Sequence, residues 1–396
     1  MTFNRRTMLQ FSAALIAARL SPDLLGKDRS PGPRAPAPGR DFFNLADYES
    51  RARQRLSHMA YEYIAGGAGD EITMRWNREA LDAISLMPRV LGDIGKVDTS
   101  VTLFGQSHPS PILLAPTAFH RLAHPRGEVE TAQGAGAAGV TFVVSSLSTR
   151  RLRDIAKATR QPLWFQLFTL QKERRAFIQE VLGELAEVDC RALVVTVDAP
   201  VTGARNRSDR ARFRLPDHFE TPYYPDRQGR QQSGGLPISG PLSWRDIEWL
   251  RSITPWPVLL KGILNPADAQ QAVKIGISGL IVSNHGGREL DTVPASITAL
   301  PAVVEAVEDR IPVLMDSGIR RGTDILKALA LGAKAVLIGR PYLYGLAAGG
   351  SAGVEHVVAI LRRELEMALT LVGTQRLNQL NRSILFGQAM AGERRS

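Results

Sequence analysis

Cysteine is nearly absent from this sequence, since Cys190 is the only one among 396 residues. A single cysteine cannot form a disulfide within the chain, and it excludes metal centres that are built from several thiolates. A Gly-x-Gly-x-x-Gly segment after an early strand is also missing, which disfavours a dinucleotide-binding domain. No segment is typical of nucleic-acid binding, so neither DNA nor RNA is an expected partner.

The N-terminus lacks a hydrophobic run long enough to cross a bilayer, because the apolar segment at residues 11–18 is too short for a spanning helix. It follows Arg5 and Arg6, and paired arginines before such a segment are typical of a twin-arginine export signal. We therefore predict an export signal at residues 1–30 and a periplasmic protein; an N-terminal extension without a targeting role is the alternative. Pro38 follows the nearest small-x-small sequence and would hinder cleavage, so an uncleaved signal could leave the protein tethered to the membrane.

Negative charge is in deficit, with 39 Asp and Glu against 49 Lys and Arg and a formal net charge of +10. Scattered arginines favour a basic, solvated surface; attraction to anionic substrates or membrane headgroups is the alternative. Hydrophobic residues make up 44% of the chain, which is enough for a full core. Residues 31–41 are rich in proline and glycine and predict a linker, after which the folded domain spans residues 42–390.

From residue 111, short apolar runs alternate with stretches of helical periodicity. Eight such units predict an α/β fold, a TIM (β/α)8 barrel; a doubly wound open sheet is the alternative. Helical spacing at residues 44–56 and 59–64 adds an N-terminal helical segment. The predicted strands are residues 111–117, 141–146, 162–168, 192–198, 257–262, 279–284, 312–317 and 335–340.

Polar residues gather at the carboxyl ends of these predicted strands, where TIM barrels place their active sites. In residues 283–291, two glycines allow a tight turn that leaves His285 and Arg288 three residues apart. A histidine takes a proton near neutral pH and an arginine grips a carboxylate, so this segment predicts proton abstraction from a small acid. The long interval 201–242 predicts either a lid over the site or a disordered surface insertion.

The loops after the seventh and eighth predicted strands combine backbone amides with arginines, a pattern typical of phosphate sites in these barrels. Gly318, Arg320, Gly339 and Arg340 are therefore expected to hold a phosphate; turns with solvated arginines are the alternative.

A cation and several hydrogen-bonding side chains are predicted at the barrel mouth. Lys261 could stabilise negative charge on a cofactor ring, and Ser145, Gln166 and Thr196 suit the edge of a heterocycle. Together with the phosphate site they indicate a flat phosphorylated cofactor, of which FMN is the obvious example.

The sequence resembles the FMN-dependent α-hydroxy-acid oxidase and dehydrogenase family from about residue 44 to the C-terminus. The motifs that carry the resemblance are Lys261-Gly262, residues 283–291, residues 316–324, Ala115-Pro116-Thr117-Ala118 and Ala123-His124-Pro125-x-Gly127-Glu128. The resemblance implies FMN as cofactor, oxidation of an L-2-hydroxy acid to the 2-oxo acid, and a homotetramer.

Carried over position by position, the resemblance implies a role for each site residue. His285 would be the base and Asp198 would orient it, while Lys261 would lie beside the flavin ring. Tyr63, Arg205 and Arg288 would bind the substrate carboxylate. The other cofactor contacts would be Thr117, Ala118, Ser145, Gln166, Thr196, Ser283, Asp316 and the four predicted phosphate residues.

One substrate position departs from the family pattern, because Phe168 stands where Phe-Gln-Leu-Tyr has a tyrosine that bonds the substrate hydroxyl. Losing that hydroxyl removes a hydrogen bond worth roughly 1–3 kcal/mol. Leu147 replaces an aromatic residue found in some relatives and, with Phe119, indicates an altered apolar pocket. We therefore expect a 2-hydroxy acid bulkier than glycolate.

The sequence does not decide the electron acceptor, and it allows two alternative functions. Ala118 matches relatives that use oxygen, which favours oxygen over a quinone or cytochrome. The alternative functions are an FMN barrel acting on a modified amino acid or peptide, and a flavin-holding protein with little turnover. His285, Asp198 and the two arginines disfavour the latter.

Overall fold

The computed structural model describes residues 42–92, 94–168, 174–224 and 242–386. The predicted export signal, the linker and the predicted domain end at residue 390 lie outside these residues. Within them, β3 to β10 form a closed barrel of parallel strands in the order β10-β3-β4-β5-β6-β7-β8-β9, which confirms the predicted TIM barrel. The strands are β1 (Val101–Leu103), β2 (Gln106–His108), β3 (Ile112–Leu114), β4 (Phe142–Ser145), β5 (Leu163–Leu167), β6 (Cys190–Thr196), β7 (Val258–Ile263), β8 (Gly279–Val282), β9 (Val313–Met315) and β10 (Ala335–Ile338).

The inside of the barrel is filled by apolar side chains from the strands, and the short hairpin β1–β2 adds to this core. Leu103 packs in the same cluster as Leu113, Val143 and Trp164. The ring of Phe104 meets Trp164 edge-on at 5.6 Å between centroids. Sequence reasoning did not predict this hairpin, because its strands are only three residues long and too short for an alternation pattern.

The helices surround the barrel, and α4, α5, α6 and α8 to α12 each follow a barrel strand. Side-chain caps begin several of them: Asn265 accepts from the amide of Ala267, and Ser243 forms a capping box with Asp246. The helices are α1 (Leu45–Arg55), α2 (His58–Ala65), α3 (Ile72–Ala83), α4 (Glu128–Ala138), α5 (Leu152–Lys157), α6 (Arg175–Glu187), α7 (Asn206–Arg210), α8 (Trp244–Ile253), α9 (Pro266–Lys274), α10 (Ser296–Val307), α11 (Gly322–Ala330) and α12 (Arg340–Leu371).

Helices α1 and α2 confirm the predicted N-terminal helical segment, whereas α3 was not predicted. Helix α12 is interrupted by non-helical backbone at Gly349 and Gly350, so it consists of two helical pieces. None of the helices in the described part of the chain is both long and apolar enough to cross a membrane.

The interval 201–242 is described only as far as residue 224, and that portion is held to the rest of the domain. It contains α7, whose Arg207 bonds Glu62 at 2.5 Å and lies 3.4 Å from Glu71. Residues 201–224 are therefore not a disordered insertion, and the predicted lid lies partly outside the described residues.

Candidate active site

A cavity of about 1000 Å³ opens at the carboxyl ends of the barrel strands. All but three of the predicted site residues line it, and Thr196, Asp198 and Ser283 lie behind the lining, where each bonds a lining residue. The predicted residues that line the cavity are Tyr63, Thr117, Ala118, Ser145, Gln166, Phe168, Arg205, Lys261, His285, Arg288, Asp316, Gly318, Arg320, Gly339 and Arg340. The strand-end pattern therefore located the cavity correctly.

A tight turn after β8 presents His285 to the cavity. His285, Gly286 and Gly287 adopt left-handed backbone conformations, with φ of 57°, 66° and 71°. This conformation is unfavourable for histidine, and such strain is typical of functional sites. A Cβ at Gly287 would lie 2.7 Å from the amide nitrogen of Met74, so a side chain would not fit. The predicted role of the two glycines is thus explained by conformation and by space.

The imidazole of His285 is held from behind by Asp198. Its Nδ1 lies 3.1 Å from Oδ1 of Asp198, which leaves Nε2 as the nitrogen available to a substrate. Burial acts to raise the pKa of Asp198, but the electrostatic interaction and hydrogen bond with His285 and the charge of Lys261 outweigh burial, and the pKa is lowered. A bulge in β7 at Gly262, with φ of 113°, provides the space for the Asp198 side chain. A Cβ at this position would lie only 2.5 Å from that side chain.

Other residues of the same segment connect β8 to the N-terminal helices. Asn284 exchanges side-chain hydrogen bonds with Asn77 at 2.7 and 2.9 Å. Asp291 accepts from the amides of Ile72 and Thr73 and so caps the start of α3. These contacts fix the position of the histidine turn relative to α3.

The two predicted carboxylate-binding arginines are in different electrostatic situations. Nη1 of Arg288 donates to the carbonyls of Tyr63 and Gly66, at 2.9 and 2.8 Å, and no carboxylate among the described residues pairs with it. Burial, followed by the positive charge of Arg205, lowers the pKa of Arg288. Arg205, by contrast, forms a buried ion pair with Glu289. Arg288 therefore lacks a counterion that a substrate carboxylate could supply.

Glu289 is a charged residue of the cavity lining that was not predicted from the sequence. It is 8% exposed and lines the cavity, and its Oε1 lies 3.9 Å from Nε2 of His285. The signal in the sequence that could have indicated Glu289 is its position four residues after His285. We call Tyr63, Phe168, Asp198, Arg205, His285, Arg288 and Glu289 the histidine end of the cavity.

A hydrogen-bonded row of side chains at the ends of β4 to β9, here called the polar wall, forms another side of the cavity. Ser145 donates to Gln166 at 2.7 Å, and Gln166 donates to Thr196 at 2.6 Å. Lys261 donates to Ser283 at 3.0 Å and lies 3.3 Å from Asp316. The polar wall consists of Ser145, Gln166, Thr196, Lys261, Ser283 and Asp316.

Lys261 keeps its positive charge although it is 3% exposed. Burial acts to lower the pKa of Lys261, but the carboxylates of Asp316 and Asp198 outweigh burial and the pKa is raised. The polar wall therefore presents a fixed cation inside a largely buried cavity.

The four predicted phosphate residues lie together on the lining of the cavity. Arg340 donates to the carbonyls of Ile64, Gly66 and Gly286. Neither Arg320 nor Arg340 pairs with a carboxylate among the described residues, so both side chains remain uncompensated. The start of α11 is already capped by Asp324, which accepts from the amides of Arg320 and Arg321. The start of α12 has no side-chain cap, which makes it the helix N-terminus suited to an anion.

The apolar part of the cavity is formed around Phe168 and Leu147. Phe168 meets the His285 ring edge-on, with centroids 6.3 Å apart. Tyr63 stacks on Phe213 at 4.0 Å, and the guanidinium of Arg288 lies over the Tyr63 ring. These contacts place an apolar surface beside His285. Leu147 lines the cavity, whereas Phe119, which was predicted with it, is buried and is not part of the lining.

These residues fit a flavin mononucleotide. The polar wall offers a buried cation with hydrogen-bonding side chains. Two uncompensated arginines, Arg320 and Arg340, line the same cavity, and Arg340 is the first residue of α12. Unpartnered buried atoms remain at the histidine end, Oδ2 of Asp198 and Nε of Arg205. Among the described residues, no cluster of His, Cys, Asp and Glu could hold a metal ion.

The family of the chain is established by comparison with known proteins. Residues 52–386 match the family model described as FMN-dependent dehydrogenase, and the chain belongs to this family. It is therefore an oxidoreductase that uses FMN and oxidises the CH–OH group of 2-hydroxy acids.

The relatives and solved structures agree with this assignment. The chain is 44% identical to "L-lactate oxidase" of Nostoc sp., over 86% of this chain and 97% of the relative. It is 41% identical to "2-Hydroxyacid oxidase" of Dictyostelium discoideum, over 88% and 91%. A structure of mandelate oxidase with (S)-2-phenylpropionate matches with a TM-score of 0.79 and 38% identity, over 87% of this chain and 98% of the other.

Proposed function

We propose that this enzyme oxidises an L-2-hydroxy acid bulkier than glycolate, with His285 as the base. The observation that carries the proposal is the pairing of His285 with Asp198 at 3.1 Å in a cavity that also contains the uncompensated Arg288. A positioned base next to a cation without a counterion suits the anion of a hydroxy acid.

Five residues of the histidine end would bind the substrate and take its proton. Bound FMN supplies a ring that accepts the two electrons removed from the α-carbon. Arg288, Arg205 and Tyr63 would hold the carboxylate, and His285 would take the hydroxyl proton at Nε2. Asp198 would stabilise the resulting imidazolium through Nδ1. The hydroxyl proton would pass to His285 and the α-hydrogen would leave together with the two electrons, so the substrate would depart as the 2-oxo acid.

The remaining site residues would bind the cofactor. Lys261 would stabilise negative charge on the ring, because its pKa is raised and its charge is fixed. Gly318, Arg320, Gly339 and Arg340 would hold the phosphate near the start of α12. Thr117, Ala118, Ser145 and Gln166 line the same cavity and would contact the ring and ribityl chain.

Oxygen is the electron acceptor that we propose, with hydrogen peroxide as its two-electron product. Ala118 lines the cavity, and the relatives named above are oxidases. Export to the periplasm and a homotetramer are further parts of the proposal. Export is supported by Arg5, Arg6 and the apolar segment behind them, and the tetramer by the family resemblance.

Anaerobic reduction of the flavin by a panel of acids tests the proposal. Glycolate, L-lactate and L-mandelate are mixed with the holoenzyme, with the D-enantiomers as controls, and bleaching of the visible flavin band is followed. We expect no bleaching by D-lactate or D-mandelate, and rates about tenfold or more higher for the bulkiest L-acid than for the achiral glycolate. Absence of bleaching by every acid, or fastest bleaching by glycolate, contradicts the proposal. Repeating the reaction in air and measuring peroxide tests oxygen as the acceptor.

A further inference from the structure

Glu289 is bound on both of its carboxylate oxygens inside the cavity. Oε1 accepts from Nη2 of Arg205, and Oε2 accepts from the amide of Gly203 at 2.9 Å. Arg205 and Glu289 are each 8% exposed. The carboxylate therefore occupies a fixed place in the loop that carries one of the two proposed carboxylate-binding arginines.

The position of Glu289 next to the base makes it part of the substrate environment. Oε1 lies 3.9 Å from Nε2 of His285, the nitrogen that faces away from Asp198. Glu289, Arg205 and Arg288 all line the same cavity. A substrate anion that approaches His285 and Arg205 must therefore come close to a second carboxylate.

Two like charges a few ångströms apart in a largely buried site repel each other strongly. Glu289 already compensates the charge of Arg205, whereas no carboxylate among the described residues compensates Arg288. Arg205 lines the same cavity, so its guanidinium remains a donor for a ligand although its charge is compensated. A neutral acceptor could use this donor without meeting the repulsion.

We propose that Glu289 is a specificity-determining residue that weakens binding of the substrate carboxylate and lets the pocket accept neutral 2-hydroxy amides and esters as well. This inference rests on the proposed role of Arg205 and Arg288 as carboxylate-binding residues. Arg288 then supplies the main attraction for an anion, and Arg205 acts as a hydrogen-bond donor. The acid and its amide should consequently bind with similar affinity.

A purely structural role for the Arg205–Glu289 pair leads to a different expectation. If the pair only joins the loop after β6 to the loop after β8, its loss alters binding of acid and amide equally. A specificity role alters the ratio of the two dissociation constants. This ratio is therefore the quantity to measure.

The experiment compares the full-length holoenzyme with its Glu289→Gln variant, which removes the charge but keeps the size. The ligands are 2-oxo-2-phenylacetate and its amide, titrated into oxidised protein while the visible absorbance of the flavin is followed. Neither ligand has an α-hydrogen, so the readout does not depend on turnover. We expect the wild-type dissociation constants to agree within about tenfold. In the variant, the dissociation constant of the anion should fall about tenfold or more. The dissociation constant of the amide should change less than about threefold.

The control is Glu308→Gln, which removes the same charge from a glutamate whose side chain is 72% exposed. It should leave both dissociation constants unchanged. An unchanged or weaker affinity of Glu289→Gln for the anion, or an equal change for both ligands, overturns the inference. The inference is also overturned, without any variant, if the wild-type protein binds the anion more than about a hundredfold more tightly than the amide, or if it binds neither ligand. Failure of the proposed function would instead appear as absence of flavin reduction by L-2-hydroxy acids.

Discussion

The polar wall and the histidine end of the cavity differ in how their polar groups are paired. On the polar wall, Ser145, Gln166 and Thr196 bond one another, and Lys261 has both Ser283 and Asp316 as partners. At the histidine end, Arg288 has no carboxylate partner, and Oδ2 of Asp198 has no hydrogen-bond partner among the described residues. Glu289 is the exception, because both of its oxygens are bonded.

The proposed roles explain this difference as a division of labour between a preorganised cofactor surface and a reactive surface that a substrate completes. Buried polar groups without partners cost free energy, so a site that retains them is expected to gain that energy back when its ligand binds. Replacing a wall residue should therefore affect cofactor retention and stability. Replacing a residue of the histidine end should affect chemistry while the flavin stays bound.

The largest expected effect comes from His285→Gln. The variant keeps a polar side chain of similar size but cannot take a proton, so we expect flavin reduction by the best acid to slow about 10²–10⁴-fold. The visible flavin spectrum should remain that of the wild type. Stopped-flow reduction measures the rate, and absorbance measures flavin content.

His58→Gln is the matched control, because the His58 side chain is 78% exposed on α2. The flavin of this variant should be reduced at the wild-type rate. Loss of flavin from His285→Gln, or an unchanged rate of reduction, would remove the distinction between the two ends of the cavity.

Lys261→Met tests whether the polar wall responds differently from the histidine end. Removing the cation leaves the carboxylates of Asp316 and Asp198 buried together, which should cost about 3–5 kcal/mol of folding free energy and release the flavin. Because the pKa of Lys261 is raised, its contribution is present below its ordinary value of 10.5 and is lost only as pH rises through the higher folded value. The difference in Tm should thus be constant between about pH 6 and pH 9.

Lys327→Met provides the comparison at a second buried lysine, which donates to the carbonyl of Leu81 at 2.7 Å. Burial lowers the pKa of Lys327, so its charge is held less firmly than that of Lys261. This variant should lose less stability and keep its flavin. Equal losses in both variants would show that the polar wall has no special role in binding the cofactor.

The barrel was predictable from sequence because its strands are buried on both faces and, apart from polar residues near their ends, form nearly continuous hydrophobic runs. Six of the eight runs were predicted too long, and residues 111–117, for example, include only three strand residues, Ile112–Leu114. The other two runs, 192–198 and 257–262, have the observed length but are shifted by two residues and one residue. After Leu114 the chain leaves the sheet to form the lining around Thr117. Helix α3 was missed because its start is capped by Asp291, more than two hundred residues away in sequence.

The site was predictable where a motif brings residues together locally, as with His285 and Arg288. It was not predictable where the important fact is a pairing between distant loops. Glu289 is adjacent to Arg288 in sequence, yet it binds Arg205 whereas Arg288 contacts the end of α2. Backbone direction in the turn decides which of the two side chains meets which partner, and residue types alone do not contain that information.

The smallest expected effect tests the apolar side of the histidine end through Phe168→Tyr. Phe168 lines the cavity and lies edge-on to His285, so a hydroxyl added there would enter the space next to the base. One additional hydrogen bond to the substrate hydroxyl should raise the rate of flavin reduction by glycolate and L-lactate about threefold to tenfold. L-mandelate should gain less, because a bulky substituent competes for the same space. Phe43→Tyr, at a position that is 71% exposed, should change neither rate. An equal gain for all three acids would show that Phe168 influences the base and does not select for substrate size.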